Sequence, residues 1–238
     1  GIVLLALVLS AVMVVVASVA SSRIQTDSEQ AAVQPFYVPP EPLPQDPGTV
    51  IRVEPLGVSV PNATAYRILY VSQKPDGTAA ASGGMLFIPD SPAPAEGRPV
   101  VAWAHGTLGM GDACVPSRSP NPLEDTDNWL DQMMSLGWVV VSTDYVGLGT
   151  PGPSLYLVAQ SEVRDLVNAV RAARNVPEAR AGTRYVTWGH SQGGHSSIWT
   201  GHLGEEFAPE LDLLGVAAAA PALELADIMS VQWNTVAG

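Results

Sequence analysis

The segment GHSQG at residues 189–193 carries a serine hydroxyl between two glycines, at a spacing typical of a sharp turn from a strand into a helix. An apolar strand is predicted immediately before it and a helical segment after it. Such a turn lifts the hydroxyl of Ser191 clear of the sheet, and side chains at Gly189 or Gly193 would collide with the neighbouring strand and helix. Ser191 is therefore predicted to be the nucleophile of covalent acyl transfer. The alternative is a glycine-rich turn that only joins strand to helix.

A second segment, HGT at residues 105–107, follows another predicted buried strand. In acyl-transfer sites of this kind, one backbone N–H that stabilises the oxyanion comes from a loop in this position, and the second comes from the residue after the nucleophile. The N–H groups of Thr107 and Gln192 are therefore the predicted oxyanion-hole donors. Gly106 and Asp112 are alternatives for the first donor, and His105 is expected to order the loop rather than to transfer protons.

The base and the acid that a serine nucleophile requires are not evident in the sequence. His190, His195 and His202 stand next to the nucleophile or on the helix after it, and each is expected to be a packing or surface histidine. Asp144 precedes the nucleophile, whereas the order of this kind of triad is serine, acid, histidine. Asp144 is therefore expected to hold its own loop by hydrogen bonds, and Asp227 is the downstream carboxylate considered for the acid.

Strand and helix signals alternate along the chain. Short β-branched and aromatic runs predict strands, and the spacing of Val163, Leu166, Val167 and Val170 predicts a helix with one apolar face. The predicted strands are residues 50–55, 64–71, 84–88, 99–104, 137–143, 184–188 and 214–220, and the predicted helices are residues 128–136, residues 160–176 and the segment after residue 191.

This alternation is typical of βαβ units and of the α/β class. Together with the turn at Ser191 it predicts an α/β-hydrolase fold, with a mainly parallel sheet and flanking helices, C-terminally incomplete. Functional groups gather at the carboxyl ends of the strands of such sheets, which is where Ser191 and residues 105–107 are expected to meet.

The N-terminal part of the chain differs from the rest. Residues 1–22 carry no charge and are almost all apolar, which predicts either a cleaved signal peptide or a membrane anchor through residues 2–20. Residues 23–48 are expected to form an extended arm, because closely spaced prolines exclude a helix or a central strand. Residues 49–238 are assigned to a partial hydrolase domain. Both interpretations of the first segment predict a secreted or extracytoplasmic location.

The composition and net charge of the sequence limit the classes of molecule that the protein is expected to bind. The sequence is 47% hydrophobic and 14% charged, as expected for a globular domain with a deep core. Its formal net charge of −12 disfavours nucleic acid and anionic headgroups but does not oppose neutral apolar substrates. The sequence has no zinc-ligand spacing, phosphate-binding loop or dinucleotide fingerprint, so neither a metal nor a cofactor is predicted. The expected partner is a small-molecule or lipid ester substrate.

Cys114 is the single cysteine of the sequence. One interpretation is a buried free thiol, because cysteine packs as a small hydrophobe. The other is a disulfide to a partner outside this sequence, which an odd cysteine in an exported chain favours.

Six segments in this order resemble the secretory lipase family, the lipase A-like branch of the α/β-hydrolases. The resemblance implies an extracellular serine carboxylic ester hydrolase, a lipase or esterase that acts on acylglycerols or related lipid esters through an acyl-enzyme on Ser191, without a cofactor. It also implies a helical lid after the sixth core strand, starting at about residue 223, with the acid and the histidine after the lid. The segments are PFYVPPEPLP from residue 35, IRVEPL from 51, WAHGTLG from 103, DACVPS from 112, DYVGLG from 144 and WGHSQGG from 188.

The chain ends before that acid and histidine would be reached. It is therefore expected to be a fragment that lacks both residues and is inactive as a hydrolase by itself. Two other functions stay open. One keeps the fold and changes the substrate, as in a thioesterase or a peptidase. The other is a non-catalytic cell-surface module that has lost the triad.

Overall fold

The computed structural model describes residues 2–126 and 129–236, and the chain divides into two compact units, residues 1–36 and 37–238. The first unit consists of helix α1 (Ile2–Val33), which is followed by a 3₁₀ turn (Gln34–Tyr37). In the part of the chain that the structure describes, no helix has the length and apolar character of a membrane span.

Helix α1 extends into the segment predicted to be an extended arm. Residues 23–33 are helical, whereas residues 38–48 hold no regular helix or strand. The reason is local, because residues 23–33 contain neither proline nor glycine and the first proline of the segment is Pro35. The prediction of an extended arm was therefore wrong for residues 23–33.

A single sheet of seven strands organises the second unit. Its short connections without helices join antiparallel strands, and its longer helical crossovers join parallel strands, as chain geometry requires. The strands are β1 (Val50–Pro55), β2 (Ala63–Gln73), β3 (Ala79–Pro89), β4 (Arg98–Ala104), β5 (Val139–Thr143), β6 (Ala181–His190) and β7 (Asp212–Ala219).

The strand order across the sheet is β1-β2-β3-β5-β4-β6-β7. The neighbours from β5 to β7 are parallel pairs. The neighbours from β1 to β3 are antiparallel, and β3 is also antiparallel to β5. Strands β2 and β4 to β7 therefore point in one direction, which confirms the predicted mainly parallel sheet.

Helices cover both faces of this sheet. Along β4, Val100 and Ala102 belong to one buried cluster while Val101 and Trp103 belong to another, because successive strand residues point to opposite faces. The first cluster includes the apolar stripe predicted for residues 160–176, and the second includes apolar residues of a short helix after residue 129. The helices are α2 (Leu130–Ser135), α3 (Ala159–Arg174), α4 (Gln192–Phe207) and α5 (Leu225–Val236). Asn128, where the first of them was predicted to begin, lies outside the described residues.

Helix α3 buries a carboxyl group, that of Asp165, against the sheet. Its oxygens accept hydrogen bonds from the Ser72 hydroxyl and, at 3.0 Å, from the Val146 backbone N–H. Burial raises the pKa of this carboxyl from 3.8 to about 7, against the effect of these hydrogen bonds. The Asp165 carboxyl therefore ionises at a lower pH in the unfolded chain than in the folded protein. As a result, its contribution to the free energy of unfolding falls as pH rises from about 4 to about 7.

We expect Asp165→Asn to remove this pH dependence. The asparagine amide can donate to Ser72 and accept from Val146, and it carries no charge that must be desolvated. The free energy of unfolding of the variant should match that of the wild type near pH 4 and exceed it at pH 8 by up to about 4 kcal/mol, since one pKa unit corresponds to about 1.4 kcal/mol. Urea unfolding over this pH range measures the difference. If the free energies of unfolding of the wild type and the variant changed with pH in the same way, the prediction would be contradicted.

Candidate active site

Ser191 lies on the turn between β6 and α4. Its backbone has φ 57° and ψ −115°, a conformation that is strained for a residue with a side chain. Hydrogen bonds hold the turn on both sides, because Ser191 N donates to the Ala219 carbonyl at 2.9 Å and the Ser191 carbonyl accepts from His195 N at 3.0 Å. The structure therefore places Ser191 at the carboxyl end of a parallel strand and at the N-terminus of a helix.

The two glycines of the turn are required by close backbone contacts. A Cβ at Gly189 would lie 2.3 Å from the carbonyl carbon of Gly193, and one at Gly193 would lie 1.9 Å from the carbonyl oxygen of Ala104. Real Cβ atoms do not approach other atoms this closely, so only glycine allows the helix to start against β4 and β6.

The loop after β4 lies against Ser191. A Cβ built on Gly106 would be 3.8 Å from Ser191 Cβ, and the His105 carbonyl at the start of the loop accepts a hydrogen bond of 3.0 Å from the Tyr145 hydroxyl. Among the described residues, the backbone N–H groups of Thr107 and Gln192 donate no hydrogen bond to the chain. Both N–H groups are thus available for a ligand beside Ser191, although their role in an oxyanion hole stays a prediction.

A pocket of about 350 Å³ opens beside the nucleophile. Two indole rings, those of Trp103 and Trp188, and the Leu108 side chain supply apolar walls. The other lining residues are Gly106, Thr107, Asp125, His190 and Ser191. The pocket is therefore formed by both segments that were predicted to carry the site, residues 105–107 and residues 189–193. An apolar pocket with a few polar groups at one end suits a substrate that carries one polar, reacting bond.

The four histidines have different surroundings. His105 is buried, with Nδ1 2.6 Å from the Gly106 carbonyl oxygen, and His195 is buried, with Nδ1 2.7 Å from Glu162 Oε2. His202 lies on α4 with its ring edge-on to an indole, and His190 is exposed at the pocket. Within residues 2–126 and 129–236, no histidine ring is hydrogen-bonded to the Ser191 hydroxyl.

In the described part of the chain, none of the aspartates considered from the sequence is hydrogen-bonded to the Ser191 hydroxyl. Asp144 is buried and accepts hydrogen bonds from the hydroxyl and, at 3.3 Å, from the backbone N–H of Ser117, and burial raises its pKa. The prediction that Asp144 holds its own loop was therefore wrong, because it secures a turn 27 residues earlier in the chain. Asp112 accepts from Gly149 N at 3.2 Å, and Asp227 is exposed in the first turn of α5.

Sequence reasoning missed Glu162, which is buried beneath the nucleophile helix. Its position in the first turn of α3 is one where acidic residues are ordinary, since they interact favourably with the helix dipole. No pattern in the sequence separates such a surface carboxylate from a buried one. Among the described residues, no cluster of three or more His, Cys, Asp or Glu is arranged to hold a metal ion.

Cys114 is a half-buried free thiol in the structure, and its sulfur packs against Gly109. The predicted disulfide therefore needs a partner from outside residues 1–238. We expect thiol titration of the complete gene product, denatured without reductant, to find Cys114 oxidised. Reaction of this thiol under those conditions would contradict the prediction.

Comparison with known proteins identifies relatives of the chain. A family model described as secretory lipase matches residues 125–238. The chain is similar to a protein of Mycobacterium tuberculosis that is named a probable inactive lipase, at 28% identity over 213 residues, which cover 80% of this chain and 46% of the relative. It is also similar to lipase A of Moesziomyces aphidis, at 24% identity over 199 residues, which cover 77% of this chain and 41% of that protein.

Solved structures show the same fold. Lipase A of Candida antarctica in its closed state matches with a TM-score of 0.63 at 23% identity, over 77% of this chain and 44% of that one. The resemblance to the secretory lipase family, in its lipase A-like branch, is thus confirmed, and the fold is that of the α/β-hydrolases. The chain spans less than half the length of the curated relatives it matches.

Proposed function

We propose that Ser191 is the nucleophile of a carboxylic ester hydrolase of the lipase or esterase type. The observation that carries this proposal is the strained Ser191 backbone, with φ 57° at the N-terminus of α4 beside an open pocket. Strain of this kind persists only where the surrounding structure imposes it, and it is frequent at active sites. Here, close contacts that only glycine permits impose it.

In the proposed reaction, Ser191 Oγ attacks the ester carbonyl carbon while its proton passes to a base, which we expect to be a histidine. The carbonyl oxygen becomes an oxyanion that accepts hydrogen bonds from the N–H groups of Thr107 and Gln192. The N-terminus of α4 also favours negative charge at this point. The C–O bond of the ester then breaks, the alcohol leaves with a proton, and water hydrolyses the acyl-enzyme.

The substrates that fit best are neutral lipid esters, such as acylglycerols. Trp103, Trp188 and Leu108 suit an acyl or alkyl chain, and the net charge of −12 disfavours anionic lipids. An extracellular location is proposed because the matching family is described as secretory. Thioesters and peptides are the alternative substrates of the same arrangement.

The test is labelling of the complete gene product with a fluorophosphonate, which reacts with activated serine nucleophiles. We expect one phosphonylated peptide, carrying Ser191, and hydrolysis of p-nitrophenyl esters from acetate to palmitate. Thioester and peptide substrates assayed in parallel separate the alternatives. A label on another residue would refute the assignment of the nucleophile.

A second candidate is a non-catalytic module, because one relative is named a probable inactive lipase. The intact strained turn at Ser191 speaks against it, since a pure scaffold does not need this conformation. Complete absence of both labelling and ester turnover in a folded protein would favour this candidate.

A further inference from the structure

Glu162 holds a fixed position under the nucleophile helix. Its side chain is 1% exposed and accepts four hydrogen bonds. Leu157 N, at 3.0 Å, and Gln192 Nε2, at 2.9 Å, donate to Oε1. His195 Nδ1, at 2.7 Å, and Ser196 Oγ, at 2.8 Å, donate to Oε2. Each carboxylate oxygen accepts two hydrogen bonds, so the carboxylate has one defined orientation.

Three of these donors belong to the first turn and a half of α4. Gln192, His195 and Ser196 begin the helix that directly follows Ser191. Glu162 therefore ties α3 to the start of α4, the helix that begins directly after Ser191. The bond to Gln192 matters most, because the backbone N–H of this residue is one of the two proposed oxyanion donors.

The Gln192 side chain also reaches the second donor. While its Nε2 binds Glu162, its Oε1 accepts a hydrogen bond of 3.4 Å from Thr107 Oγ1. The Thr107 hydroxyl is fixed from the other side by the Tyr156 hydroxyl, at 2.9 Å. A continuous chain of hydrogen bonds thus joins Glu162 to the residue that carries the other proposed donor.

A second path leads from Glu162 to the same loop. Here the middle link is a packing contact, because Ser196 Oγ lies 3.3 Å from the Tyr145 hydroxyl while the Ser196 proton is given to Glu162 and the Tyr145 proton to the His105 carbonyl, at 3.0 Å. Both paths start at the Glu162 carboxylate and end on residues 105–107. The relative position of the loop and the helix, which defines the distance between the two N–H groups, therefore depends on one buried carboxylate.

We propose that Glu162 is a positioning residue of the oxyanion hole, which sets the N–H groups of Gln192 and Thr107 through the hydrogen bonds of the Gln192 side chain. This inference rests on the proposed function of Ser191. A carboxylate is required because all four neighbours donate to it, whereas a glutamine would point its own NH₂ at two donors.

The first test compares Glu162→Gln with Asp165→Asn in the complete gene product. Both variants neutralise a buried carboxylate of α3, but the Asp165 side chain is hydrogen-bonded to Ser72 and Val146 rather than to α4 or residues 105–107. With p-nitrophenyl butyrate, we expect Glu162→Gln to lower kcat by about 10- to 100-fold, since misplaced transition-state donors act on the chemical step, and to change KM by less than about threefold. Asp165→Asn should leave both constants within about twofold of the wild type.

The second test asks whether Glu162 acts through Gln192. Gln192→Ala keeps the backbone N–H and removes only the bridging side chain, and it should lower kcat by about tenfold. In Glu162→Gln/Gln192→Ala, kcat should be no lower than in Glu162→Gln alone, because the two changes break the same path. Effects that multiply would overturn the inference. If Glu162→Gln does not fold, a kcat for Gln192→Ala within about twofold of the wild type overturns it as well.

The outcomes also separate the two proposals. Wild-type kcat in Glu162→Gln, with Ser191 labelled in both proteins, refutes the role of Glu162 and leaves the proposed function intact. A folded wild type that neither hydrolyses the ester nor reacts with the fluorophosphonate refutes both.

Discussion

Replacing Ser191 with alanine is expected to lower the kcat of ester hydrolysis by about 10⁴-fold or more, because the attacking oxygen is lost while the rest of the site remains. The backbone bond from residue 191 to the Ala219 carbonyl, 2.9 Å long, does not involve the hydroxyl, so the turn should persist. Steady-state kinetics of the complete gene product with p-nitrophenyl butyrate, together with thermal unfolding, measures both effects.

Ser135→Ala is the matched control for this variant. Its exposed hydroxyl donates to the Asp131 carbonyl, at 2.8 Å, and Ser135 is not among the residues that line the pocket. Ester hydrolysis and stability should both be unchanged in this control. If Ser191→Ala retained wild-type turnover while Ser135→Ala behaved as expected, the nucleophile would be another residue.

Gly193→Ala is expected to cause the largest loss of stability and to remove activity with it. The added Cβ would lie 1.9 Å from the Ala104 carbonyl oxygen, which belongs to a central strand and cannot move without displacing its neighbours. We expect the free energy of unfolding to fall by about 3 kcal/mol and kcat to fall by more than about 100-fold, because helix α4 must shift away from β4. Urea unfolding and ester hydrolysis on the same preparation provide the measurement.

Gly215→Ala tests whether this effect comes from the contact rather than from the loss of a glycine. A Cβ at Gly215, on β7, meets no atom within 4 Å. Its free energy of unfolding should stay the same or rise by up to about 1 kcal/mol, because alanine restricts the unfolded chain. Equal losses of stability in Gly193→Ala and Gly215→Ala would show that the predicted clash is not the cause.

Some features of the fold could be predicted because neighbouring residues determine them. The turn at Ser191 needs a buried strand, two glycines and a helix, and all of these lie within one short segment. The stripe from Val163 to Val170 is equally local, since helical spacing alone shows that these apolar residues share one face, and they are buried in the structure. The prediction of an extended arm was wrong for residues 23–33 because the prolines that begin at Pro35 do not affect the helix before them.

Other features depend on residues that are far apart in the chain. Strand β3 was predicted only for residues 84–88, since alanine, serine and glycine are poor strand formers, yet it runs from Ala79 in continuous pairing with β2. The partner of Asp144 is Ser117, which no local pattern connects to it. In each case, pairing with a distant segment outweighs the preference of the residues themselves.

The sequence by itself determined the class of fold, the nucleophile candidate and the loop that meets it, because each is encoded by a contiguous motif whose geometry is nearly the same wherever it occurs. Only the tertiary structure decided that Glu162 is buried and that its carboxylate binds Gln192, His195 and Ser196. Those contacts join α3 to α4 through residues that lie about 30 positions apart in the chain. The physical reason is that burial and hydrogen bonding depend on how elements pack, and a glutamate in the first turn of a helix looks the same in sequence whether that turn faces water or the nucleophile helix.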